Sequence, residues 1–231
     1  MRTESPHRPC SRSAASPLPA RSARAAPQQT TRCSCAIRSL APQSIPGVAQ
    51  QAYWRSAMAE ALLTTLIRQL DTAWKLASFH LDGLTTDECL WRPEQRGLHV
   101  QRASDGTWRA DWPEREGYDI GPPSIAWLTW HVRFWWSMVI DHSFGRGALA
   151  REQVLWPGDA DAVREAITRL HGEWRAAIEA LSDEDLRSSQ RTRWPLRDRP
   201  FAEVIAWANV ELTKNAAEIG YARFLYAVRG R

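Results

Sequence analysis

Beyond residue 57 the chain has one cysteine, Cys89, so no disulfide can close within that stretch and a reducing, cytoplasmic setting is expected. The first 57 residues lack lysine and hold a single acid, Glu4, against eight arginines. That leaves 22 basic and 25 acidic residues for the remainder, so the basic pI of about 9.1 belongs to the leader. A slightly acidic remainder excludes the reading that 13 tryptophans and a basic pI would otherwise invite, a nucleic-acid surface of stacking aromatics and cationic patches. Cys33-Ser34-Cys35 has neither zinc-knuckle spacing nor a second pair to complete four ligands.

Long apolar runs are missing too. The most apolar segment, residues 125–140, falls short of the roughly 20 residues that a membrane span needs and contains His131 and Arg133. There is no secretory signal core, phosphate-cradling glycine loop, nucleophile elbow, informative Cys/His spacing or internal repeat. Residues 1–57, rich in Arg and Ser and poor in acids, have the composition of an organellar transit peptide and equally that of a disordered basic leader or a mis-assigned N-terminal extension; the last two are the expectation. The folded domain is then 58–231.

What remains is helical periodicity. Leu63, Leu66, Ile67, Leu70, Trp74, Ala77, Leu81 and Leu84 recur at three- and four-residue steps, which predicts a first long helix from Met58. Thr85 with Glu88 has capping-box spacing for a short turn ending before Pro93. Asp105-Gly106 between Leu98-His99-Val100 and Thr107-Trp108-Arg109 predicts a small hairpin. After Gly121-Pro122-Pro123, Ser124 caps a second long helix ending between His142 and Gly145, with Trp127, Leu128, His131, Phe134, Trp135, Met138 and Val139 on one face. A third follows Gly158-Asp159, and a fourth begins after Asp198 with Pro200 in its first turn and runs to about Val228. Four amphipathic helices with modest connections predict an all-α fold: an antiparallel four-helix bundle with a small β-hairpin insertion between helices one and two.

On the last helix one ridge reads Val204, Ala208, Glu211, Asn215, Glu218, Ala222, Leu225. A carboxylate on an apolar ridge needs a partner, and His131 on the second helix is the natural one. Two readings stay open. In one, His131, Glu211 and Asn215 hold a divalent ion that leaves positions for water or a substrate thiol. In the other, His131 and Glu211 form a buried pair, Asn215 completes the network, and Lys214 or Arg223 balances the charge.

Leu90-Trp91-Arg92-Pro93, Pro123-Ser124-Ile125-Ala126-Trp127-Leu128-Thr129-Trp130-His131-Val132, and residues 209–220, NVELTKNAAEIG, together resemble the DinB-like superfamily, which includes a mycothiol-dependent maleylpyruvate isomerase. The resemblance implies zinc or nickel held by a histidine on the second helix, and by a His or Glu followed four residues later by His on the last. His131 and Glu211 match; Asn215 stands where a histidine is expected. It also implies a metal-dependent thiol transferase or isomerase, with Glu218 as orienter or base, and a homodimer. The alternative is a metal-free small-molecule-binding or dimerisation module, whose twelve tryptophans after residue 57 wall a pocket for a flat aromatic or apolar ligand. Neither a nucleic acid nor a membrane is an expected partner. His80, His142 and His171 read as packing or solvated residues, and Cys89 as a small buried hydrophobe.

Overall fold

A computed structural model describes residues 47–115 and 117–230; the expectation for residues 1–46 lies outside them. The fold is mostly helical, with one two-stranded sheet. Four long helices, α1 (Val48–Leu81), α3 (Ile125–Phe144), α4 (Ala160–Glu179) and α6 (Phe201–Val228), carry the core, with short helices α2 (Thr86–Leu90) and α5 (Asp183–Arg187) between them. The first helix begins at Val48, ahead of the Met58 start read from the sequence. Among the described residues no helix is long and apolar enough to cross a membrane.

The helix starts follow their caps. The side-chain oxygens of Thr85, Ser124, Asp159 and Ser182 each accept a backbone N–H three residues on, satisfying donors that a helix cannot pair internally. In the expected hairpin, Val100–Arg102 (β1) pairs antiparallel with Trp108–Ala110 (β2), Val100 opposite Ala110. Gly106 takes a positive φ of 82°, and the loop closes by an Ala103 N–H to Thr107 carbonyl bond of 2.8 Å.

Helix α3 differs from the single apolar face expected for it. Beyond the anticipated stripe, Ala126, Thr129, Trp130, Val132 and Trp136 are also buried, because α4, α6, α2 and the hairpin segment cover it on several sides. Its indoles reach distant carbonyls: Trp127 Nε1 donates to Asp111 O at 2.8 Å, and Trp130 Nε1 to Val154 O at 2.6 Å.

The strictly antiparallel order expected from modest connections does not hold. Residue pairs across helices, Trp136 with His171 and Phe144 with Trp174, run in the same sense, so α3 and α4 are parallel neighbours. Likewise Asn209 donates to Leu66 O and Arg223 to His80 O, which makes α1 and α6 parallel. In contrast α3 runs antiparallel to α6, with Trp135 against Trp207 and Phe144 against Phe201. The reason is the connection from Gly145 to Asp159. At roughly 3.3 Å per residue it reaches about 50 Å, whereas the 20 residues of α3 span about 30 Å. The segment therefore returns along α3, pinned by the Trp130 bond and by Trp156 N–H to Trp108 O at 3.0 Å, before α4 starts.

One further contact closes the structure. The Arg223 guanidinium of α6 donates to the carbonyls of His80 and Asp82 at the end of α1, at 2.9 and 2.8 Å, and to the Glu88 carboxylate of α2 at 2.8 Å.

Candidate functional site

The antiparallel crossing of α3 and α6 sets His131 opposite the polar ridge of α6. His131 is partly buried, stacked on Trp127 one turn earlier with ring centroids 4.9 Å apart and planes 11° from parallel. Asn215 is fully buried, and its Oδ1 lies 3.0 Å from His131 Nδ1. The same amide donates through Nδ2 to the Glu211 carbonyl at 2.7 Å and, more weakly, to the Glu211 carboxylate at 3.4 Å.

This arrangement assigns the tautomer of His131. Both Glu211 oxygens are acceptors, so the Asn215 NH2 must face them and its carbonyl must face the ring. Neutral His131 then carries its proton on Nδ1 and keeps the lone pair on Nε2. Burial pushes the ring's pKa below the usual histidine value; the Asn215 bond and the Glu211 charge act the other way, and Lys214 adds to the lowering.

Lys214 lies between two carboxylates, 3.7 Å from Glu211 and 3.8 Å from Glu218. Burial raises the Glu218 pKa, with the Glu211 charge adding to the rise and Lys214 opposing it. Glu218 Oε2 is buried and has no hydrogen bond among the described residues.

The Glu218 carboxylate also lines an apolar groove of about 400 Å³. Leu128 of α3 forms one wall, Tyr221 and Leu225 of α6 another, and Pro122 and Pro123 the rim. Leu128 precedes His131 by one helical turn and Glu218 follows Asn215 by three residues, so the groove adjoins the hydrogen-bonded pair.

Of the residues read from the sequence, His131 and Asn215 meet directly. Glu211 reaches them through the Asn215 amide, not by the direct His131 pairing anticipated, and Glu218 connects only through Lys214. Arg223 balances Glu88 and not Glu211. Cys89 is buried, its thiol pushed up to about 12 chiefly by desolvation, which makes it inert. His171 stacks on Trp74 at 4.0 Å.

The groove differs from the tryptophan-walled pocket expected from the sequence: prolines, Leu128, Tyr221 and Leu225 line it, and no tryptophan does. Gly121-Pro122-Pro123 was legible as a stop signal, but nothing local says that the two prolines face Tyr221 and Leu225, about a hundred positions away. The available signal was the apolar continuation of the ridge past Glu218, at Ala222 and Leu225.

The family model of the DinB superfamily matches residues 69–219, a span that contains His131, Glu211, Asn215 and Glu218. No curated protein and no solved structure matches the chain.

Proposed function

Because the chain belongs to the DinB superfamily, we propose that its four long helices act as a bundle of that family and bind a small, largely apolar molecule in the groove between α3 and α6, without a metal. The observation that carries this reading is the groove beside Glu218: apolar walls with one buried carboxylate oxygen at their edge that accepts no hydrogen bond among the described residues and meets only the Lys214 ammonium, at 3.8 Å. A carboxyl whose pKa is raised donates a hydrogen bond in its neutral form and accepts one when ionised. Glu218 therefore anchors the polar end of a flat aromatic or aliphatic ligand in either state.

The donor set at His131 does not fit a divalent ion well. Asn215 Oδ1 is engaged by the ring and its Nδ2 by Glu211, so His131 Nε2 and the Glu211 carboxylate are the donors that remain. Catalytic zinc sites use three protein ligands. With this donor set His131, Asn215 and Glu211 work as a positioned hydrogen-bond relay next to the groove.

A second reading, a metal-dependent thiol transferase or isomerase, is favoured by one feature: the Asn215 bond leaves Nε2 bare, the state in which an imidazole serves as a ligand. A homodimer fits the exposed side chains of Phe79, Tyr221 and Phe224 on α1 and α6.

The test uses untagged full-length protein and the neutral fluorophore N-phenyl-1-naphthylamine. Saturable fluorescence enhancement is expected, weakened at least tenfold in Ala217→Trp, which fills the groove from an exposed position. Elemental analysis is expected to find well under one equivalent of metal. Undiminished binding in Ala217→Trp rejects the groove; near-stoichiometric zinc or nickel, lost on His131→Ala, establishes the second reading instead.

A further inference from the structure

A second cavity lies on the other side of the α3 start. It has a volume of about 160 Å³ and is lined by Leu90, Arg92, His99, Val100, Trp108 and Ser124. One water takes up roughly 30 Å³ of liquid, so the space suits a larger guest.

Three features of its wall share one electrostatic preference. His99 is only 3% exposed, and neither ring nitrogen has a hydrogen-bond partner among the described residues. An imidazole buried in that state is a costly arrangement unless something else satisfies it. Arg92 brings a guanidinium, which donates to Gln101 Oε1 at 3.0 Å and keeps further N–H groups available. Ser124 marks the start of α3, a 20-residue helix. Its hydroxyl serves the Trp127 N–H, whereas the amides of Ile125 and Ala126, both buried, have no acceptor among the described residues. Unpaired first-turn amides at the positive end of a long helix are a standing site for negative charge.

The Asp111 carboxylate beside His99 is already engaged. Asp111 Oδ2 accepts the His99 backbone N–H at 2.9 Å and the Gln101 amide at 3.4 Å. Burial, then Arg92, holds the His99 pKa below the usual value; the Asp111 charge and the carbonyls of Glu94 and Gln95, which approach the ring without completing a hydrogen bond, act the other way.

We propose that this cavity binds a small oxyanion, the carboxylate of a short organic acid or inorganic phosphate, through Arg92 and the His99 ring, beside the positive end of α3 at Ser124. A neutral His99 serves as donor at physiological pH, so binding does not depend on its protonation. Leu90, Val100 and Trp108 leave room for a short apolar substituent, which favours an organic acid over the bare ion.

The test follows the His99 ring 13Cε1–1H resonance by NMR during titration of the full chain with sodium acetate and, separately, sodium phosphate. Ionic strength is held constant with chloride. A saturable shift with at least one anion is expected, and the tighter of the two identifies the class. Arg92→Gln, at an exposed position, should fold normally and weaken that binding at least tenfold. The proposal is overturned if neither anion gives a saturable shift, or if the shift persists unchanged in Arg92→Gln.

Discussion

Asn215→Leu tests the centre of the site. Leucine is close to asparagine in size, so the substitution keeps the volume while removing the acceptor for His131 Nδ1–H and the donor to Glu211. Leaving a buried donor unpaired costs about 1–3 kcal/mol. For a folded region of this length each kcal/mol lowers Tm by about 2–4 °C. His131→Phe keeps the stack on Trp127 and strands the Asn215 carbonyl instead, at a similar cost. When both are made together, two apolar groups face one another and no polar group is orphaned, which is nearly neutral. Urea denaturation of the four proteins should therefore show the double variant at least about 1 kcal/mol more stable than the sum of the single effects predicts. NMR supplies a second readout: the Asn215 bond favours the protonated ring, so the His131 pKa should fall further in Asn215→Leu. Additivity to within about 0.5 kcal/mol, with an unmoved His131 titration, would refute the contact.

Three more outcomes are expected. His171 has its pKa lowered from 6.5 to about 4, first by burial and then by Arg175, so the unfolded chain binds a proton that the folded one refuses. Stability should drop as pH falls from about 6.5 towards 4. The shift corresponds to at most about 3 kcal/mol at 1.36 kcal/mol per unit, discounted to about 1 for partial exposure. His171→Phe, which keeps the stack on Trp74, should remove that share of the acid loss in Tm measured from pH 7 to 4.5; parallel curves for the two proteins contradict it. Asn215→His adds the third donor beside His131 and Glu211 and should give a zinc-dependent rise in Tm, about 2.7 kcal/mol of stabilisation at a hundredfold excess over Kd; no response to zinc means that the three positions do not converge. Trp174→Ala empties a fully buried site against Phe144 and Phe201 and should cost about 3–5 kcal/mol in chemical denaturation; a loss below 1 kcal/mol would mean that the site collapses freely.

Features set by neighbours in the chain were legible. Ser124, Asp159 and Thr85 announced helix starts because a cap acts within three residues, and Gly106 announced the hairpin because only its own φ was at stake. The ridge through Glu211, Asn215 and Glu218 was legible because spacing alone stacks those side chains. Partner choice along that ridge was not: whether His131 meets Glu211 or Asn215 depends on side-chain reach across two helices, and the shorter amide sits in between. Helix direction was hidden for a related reason, since a connection of given composition can turn tightly or travel the length of the fold. His99 reads in the sequence only as part of a hairpin strand, because its significance lies in the atoms it fails to meet.

The Arg223 guanidinium ties the fate of the first long helix to the last turns of α6. Carbonyls that end α1 find their donors on a residue of α6, so fraying of that helix that reached Arg223 would leave them unpaired. At that residue the loosening would pass to α1 and α2 together.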